Sequence, residues 1–241
     1  MTITAQGIQK SELDTLLRAV DDLADELRAD ATTISTGPIP SFLSELDGDT
    51  GVTDTNYESV LGPGGSGDAW PASPSSAALN DGAFTSIDMS QEDMVTFIQA
   101  AGTLLNELRT DRATMATSYD ALLAKLDADT GVDDDDYAST LGVGGTEEAW
   151  PANPSASAID TTTISDQGVT QVALYNILSA IVTLGNELRT DRATIATSFE
   201  ALLAKLDLDA GVGSTDYEAK YGIGGSEDPW PANPSSAALS L

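Results

Sequence analysis

Apolar residues recur along this chain at alternating spacings of three and four. From position 94 one seam runs Met94, Ala101, Leu108, Met115, Leu122, and a second runs Ile98, Leu105, Arg112, Tyr119, Leu126. Eighty residues later the seams return as Leu174, Ile181, Leu188, Ile195, Leu202 and Leu178, Gly185, Arg192, Phe199, Leu206. A shorter version opens the chain, with Leu13, Val20, Leu27, Ile34 beside Leu17, Ala24, Ala31. Spacing of this kind, held over several heptads, predicts long helices that meet along an apolar stripe, as in a coiled coil or helical bundle. A run of about 38 residues at 1.5 Å each makes a rod of about 57 Å. Ser90 with Asp93 reads as a capping box at the start of the second helix. Gly131 and Gly211 fit the left-handed position just past a helix end. In the first copy, Gly37-Pro38-Ile39-Pro40 removes backbone donors and predicts a break.

The pattern belongs to three tandem units, 1–80, 81–160 and 161–241, with the helix of the first one residue out of step. After each helix comes L-D-x-D-x-G-V, then a short stretch around Tyr57, Tyr137 or Tyr217 that suits about two helical turns. Thr53, Asp54 or Asp134 is the expected cap of that short helix. A glycine-rich turn follows, and then W-P-A-S-P-S or W-P-A-N-P-S, which predicts extended chain because residues before proline avoid the helical region. The Trp-Pro segment recurs after the third helix, where it links to no further helix in this sequence. It is therefore expected to pack, with Trp70, Trp150 and Trp230 and the three tyrosines as anchors, against its own bundle or against a partner. Connectors at 80–89 and 160–168 lead to the next helix.

The fold class expected is mainly α, in two alternative architectures. In one, the three helices lie parallel as a pseudo-threefold bundle within a monomer. The roughly 40 residues after each helix reach about 130 Å when extended, enough to climb back along the rod. In the other, three chains wind into a homotrimer and the units stack as storeys of a fibre. The broken first helix is a poor equal partner for the other two, which favours the trimer. Arg112 and Arg192 each interrupt an apolar seam. Either the stem packs and the head reaches water or Asp111 or Asp191, or a polar core position fixes register.

Composition narrows the chemistry. There are 10 basic and 39 acidic residues, a net charge of −29, and neither cysteine nor histidine. That excludes a thiol nucleophile, a disulfide framework and the usual general base. Nucleic acid and anionic membranes are disfavoured as partners, because both require cationic surface. No secretory leader is expected from Met1–Lys10, although these residues suit an attachment peptide. The acidic turns, such as Asp127, Asp129 and Asp133 to Asp136, combine carboxylates with free helix-end carbonyls, which is a calcium-type ligand set. They lack the spacing of an EF-hand, so a solvated turn and a cation site both stand as readings. Nothing places two carboxylates across a cleft, and the glycine runs lack the lysine of a phosphate-binding loop. No enzyme and no cofactor is expected.

The run Ala121-Leu122-Leu123-Ala124-Lys125-Leu126-Asp127-Ala128-Asp129-Thr130-Gly131-Val132, with Asp136-Tyr137 beyond and N-E-L-R-T-D before it, resembles a module of small virion structural proteins of tailed bacteriophages. The first copy departs from it at the proline break. The resemblance implies a non-enzymatic virion component. Such a protein is a capsid-attached decoration or fibre protein, or a neck or tail accessory, with itself and the major capsid protein as partners. The rival reading is a calcium-dependent surface binding or adhesion module.

Overall fold

The computed structural model describes residues 10–79, 90–165 and 169–241. The candidate attachment peptide and the first connector fall outside these residues, apart from Lys10. The described chain is mainly helical, and no strand occurs in it. Helix α1 (Lys10–Thr36) is followed directly by α2 (Pro38–Gly48) and the short α3 (Tyr57–Leu61). Then come α4 (Gln91–Ala128) with the short α5 (Tyr137–Leu141), and α6 (Gln171–Leu208) with the short α7 (Tyr217–Tyr221). A 3-10 turn covers Thr161–Thr163. The long helices α1, α4 and α6 each pack against the other two.

Local chemistry sets the helix ends. Ser90 and Asp93 form the expected capping box, with Ser90 Oγ accepting from Asp93 N at 3.1 Å. At α6 the hydroxyl of Thr170 accepts from Ala173 N at 3.1 Å. The break after α1 lies at Gly37, as the prolines require. Gly37 N–H still reaches Thr33 O at 2.9 Å, and Ser41 N–H reaches Gly37 O at 3.2 Å, so the bend costs few hydrogen bonds. It absorbs one residue: Asp30 and Asp111 are 81 positions apart, whereas Asp47 and Asp127 are 80 apart. Thus α2 takes the place of the final turns of α4 and α6, and the first helix joins the packing along its whole length.

Two expectations at the helix ends are corrected. Gly131 and Gly211 are not left-handed: positive φ occurs at Gly64, Gly144 and Gly224, inside the L-G-x-G-G turns. Gly51, Gly131 and Gly211 are glycines for a different reason. They meet one another, and a Cβ on any of the three would fall within 3 Å of a backbone carbonyl of the next. The caps of the short helices are not Thr53, Asp54 or Asp134. They are Asp47, Asp127 and Asp207, whose carboxylates accept from the first two amides of α3, α5 and α7.

The buried apolar residues form two cores. One holds the amino-terminal halves of the long helices, up to Leu27, Leu108 and Leu188. The other begins at Ile34, Met115 and Ile195 and contains all three tryptophans and the tyrosines of the short helices. Between them lies the layer of Ala31, Arg112 and Arg192.

Candidate functional site

The Trp-Pro segments are non-helical and lie between long helices, and the N-E-L-R-T-D-R run holds them there. Asn106 exchanges two hydrogen bonds with the Ile159 backbone, at 2.9 and 2.7 Å. Arg109 Nε donates to Ala156 O at 2.8 Å, and Arg112 Nη2 donates to Pro151 O at 2.6 Å. Thr110 bonds back to Asn106 O. Glu107 faces the other way and takes the preceding segment, accepting from the amides of Ser75 and Ser76 and from the Ser75 hydroxyl. In the third copy Asn186, Arg189 and Arg192 repeat the grip on Leu239, Ser236 and Pro231. The near-identity of this run between copies therefore reflects a docking strip in which Asn106, Glu107, Arg109, Thr110 and Arg112 each have a fixed acceptor or donor.

Each segment is shared between its own helix and the next. Segment 75–76 is held by Glu107, segment 155–156 by Glu187, and segment 235–236 by Glu26 of the first helix. The third copy thus docks on the first, across about 210 positions. These amides draw the Glu26 and Glu107 carboxyls down to about 2, against the opposing effect of burial.

The acidic turns follow the same order. Asp129 accepts from the amides of Thr53, Asp54 and its own Gly131, and from the Tyr57 hydroxyl at 3.1 Å. Asp209 takes Asp133, Asp134, Gly211 and Tyr137 in the same way, and Asp49 takes Gly213, Ser214, Gly51 and Tyr217. Burial raises these three carboxyls, but their hydrogen bonds outweigh it and hold them below the ordinary range. Burial and the facing carboxylates push the three tyrosine hydroxyls well up. The unfavourable charge at each helix end is thus offset by amide and hydroxyl donors from the neighbouring copy. Among the described residues, no group of three or more carboxylates is arranged to hold a metal.

The tryptophans are buried as anchors should be, and all three lie in one core. Trp150 stacks on Tyr119 at 4.1 Å and Trp230 on Phe199 at 4.2 Å, while Trp70 meets Trp150 edge-on at 5.9 Å. Hydroxyls of Ser118 and Ser198 hold Ala69 O and Ala149 O, just before the tryptophans. Arg112 and Arg192 are buried, with Cζ 5.7 Å from the Trp150 ring and 5.5 Å from the Trp230 ring. Arg112 Nε pairs with Asp191 at 3.3 Å, and Arg192 Nε pairs with Asp30 at 3.0 Å. Both contacts are charge pairs without hydrogen-bond alignment.

The third place in this layer differs. Ala31 stands after Asp30 as Arg112 stands after Asp111, and it supplies no head group. A cavity of about 50 Å³ opens there, lined by Ala31, Asp111, Arg112, Arg192 and apolar residues of all three long helices. Burial and nearby Glu107 push Asp111 up to about 6. Asp191 also rises to about 6 through burial, against the pull of Arg112.

The sequence singled out the tryptophans, tyrosines and arginines and, of the residues that meet them, offered Asp191 for an arginine head. Asp30, Glu26, Glu107 and Glu187 were not singled out, and Asp49, Asp129 and Asp209 were read as solvated or cation-holding turns rather than as acceptors for the tyrosines. Their signal was present in the unchanged polar letters of N-E-L-R-T-D-R and L-D-x-D-x-G, because a solvated helix face has no need of identity between copies. No protein-family model matches the chain, and no curated protein or solved structure matches it. Among the described residues, no helix is long and apolar enough to cross a membrane.

Proposed function

We propose that this chain is a non-enzymatic structural protein of a tailed-phage virion, of the capsid decoration, head fibre or neck and tail accessory type. In this reading the units 1–80, 81–160 and 161–241 form one parallel, pseudo-threefold helical rod within a single chain. The observation that carries the architecture is the docking of Ser235 and Ser236 on Glu26. It satisfies the first copy's glutamate with the third copy's segment, and Tyr217 on Asp49 repeats the closure at the other core. A chain that closes its own ring has no need of two further chains to cover its seams. The virion assignment rests on the resemblance of the repeated module. The proposed role is attachment: a rigid rod, acidic on its outside, bound at one end to another virion protein such as the major capsid protein.

Light scattering coupled to size exclusion tests the architecture. The expected mass is that of one chain, 24.9 kDa; three times that mass overturns it in favour of a trimeric fibre. Mass spectrometry of purified particles tests the assignment, which fails if the protein is absent from them.

A further inference from the structure

We propose that the arginine position left vacant at Ala31 is a binding socket for a guanidinium group, either a free guanidinium-type cation or an arginine side chain presented by a partner protein. The chain itself shows what such a socket takes. Arg112 lies between the Asp191 carboxylate, the Pro151 carbonyl and the Trp150 ring. Arg192 lies between Asp30, Pro231 and Trp230. By the same order, the third socket consists of Asp111, Pro71 and Trp70. Its acceptors are unclaimed: among the described residues, neither the Asp111 carboxylate nor the Pro71 carbonyl takes part in a hydrogen bond or an ion pair, and the cavity reaches the socket on the side of Ala31 and Asp111, which line it, while Pro71 and Trp70 do not.

Charge and shape point to the same ligand. The layer carries three carboxylates, Asp30, Asp111 and Asp191, against two guanidiniums, so one more cation balances it. A planar fork of N–H donors suits a carboxylate and a carbonyl together, and its face suits an indole. An ammonium is a point charge on a stem and matches only the first of these. Copy one secures its own segment by other means, with the Ser35 and Ser73 hydroxyls 3.0 Å apart and Arg28 on Ser76 O, so the socket is not needed to hold the fold.

The inference rests on the single-chain reading, because Ala31 and Asp111 become neighbours only when the ring closes within one chain. The test is thermal melting at pH 7.5 and constant ionic strength, with methylguanidinium chloride replacing sodium chloride up to about 20 mM. The native chain is expected to gain on the order of 2 °C. Ala31→Arg, which fills the socket from within, is expected to melt higher without the probe and to gain nothing from it. Ala31→Leu blocks the cavity with hydrocarbon and serves as the blocked form if the arginine variant does not fold. Asp111→Asn is expected to lose the gain. The proposal is overturned if the native chain gains no more than a blocked variant, or if methylammonium chloride gives the same gain. A gain with N-acetyl-arginine methylamide as well assigns the socket to a partner's arginine, whereas a gain with methylguanidinium alone assigns it to a small cation. Scattering mass on the same samples separates the two readings. A trimer mass removes the single-chain proposal, and a monomer mass without a probe effect removes this one alone.

Discussion

The two apolar cores of this molecule are built on different terms. The carboxy-terminal core carries the same residue at about half of its equivalent places: Leu43, Leu123 and Leu203; Leu46, Leu126 and Leu206; Val52, Val132 and Val212; and three tryptophans and three tyrosines. The amino-terminal core does not. Leu17, Ile98 and Leu178 share one level, and Ala24, Leu105 and Gly185 share another. At Gly185 the missing side chain is replaced from outside, since a Cβ there would lie 3.1 Å from Leu239. Dispersion and apolar burial are non-directional, so one copy's lost volume is filled by another's side chain. Hydrogen bonds are directional, and a buried donor without its acceptor costs the full desolvation of that group. Beside the carboxy-terminal core, Asp49, Asp129 and Asp209 tie each copy to another through such bonds, and the tyrosines that meet them and the neighbouring valines are the same in all three.

Acid has the largest expected effect, and three of the five carboxyls it reaches, Asp49, Asp129 and Asp209, lie on the tyrosines of the carboxy-terminal core. The lowered carboxyls of Glu26, Glu107, Asp49, Asp129 and Asp209 contribute stability that is complete above the ordinary carboxylate range and is lost as pH falls toward 2. Asp111 and Asp191, raised to about 6, have the opposite sign: their contribution is greatest below the ordinary range and is lost as pH rises through 6. The melting temperature should therefore pass through a maximum near pH 5 and fall by on the order of 10 °C by pH 2. All three tryptophans belong to one core, so their emission should shift red in acid before helicity at 222 nm declines. Simultaneous loss of the two signals would contradict the division. Next in size, Trp150→Ala should cost about 3–5 kcal/mol in a denaturant titration. Asp129→Ala strands five donors and should cost about 3 kcal/mol by the same measure. Tyr137→Phe removes one bond to Asp209, and a loss of about 1.5 kcal/mol is expected. The smallest effect belongs to the other core. Ile98→Leu writes into the second copy the residue found at the same level in the first and third, and should change stability by under about 1 kcal/mol. A larger loss there than at Tyr137 would reverse the comparison.

The heptads, the capping box and the break at Gly37 were legible in the sequence because each is written within a few residues. The place of Arg112 and Arg192 in an apolar seam was legible too, but whether their heads reach water was left open, and both are buried. The meeting of Gly51, Gly131 and Gly211 was not legible, and a helix-end glycine was read by its commonest local use. Nor was the division of labour within L-D-x-D-x-G, where the first aspartate serves its own short helix and the second serves the neighbouring copy. Tyr57 and Asp129 are 72 positions apart, and periodicity carries no statement of which copy lies beside which. The same limit applied to the candidate site. The sequence set Ala31 in the seam of Arg112, but the vacancy became visible only once Asp111 was seen to face it.

Closure of the ring also orders events in time. Glu26 enters the growing chain early, yet its partners Ser235 and Ser236 come about 210 residues later. At about 5–20 residues per second, synthesis of that interval takes on the order of ten seconds or more. During it the stripe of α1 waits first for α4 and then for α6, and the contact that completes the ring becomes available only after both. The nascent chain therefore spends that interval unsealed, and its dependence on chaperones should be concentrated before release of the third copy rather than after it.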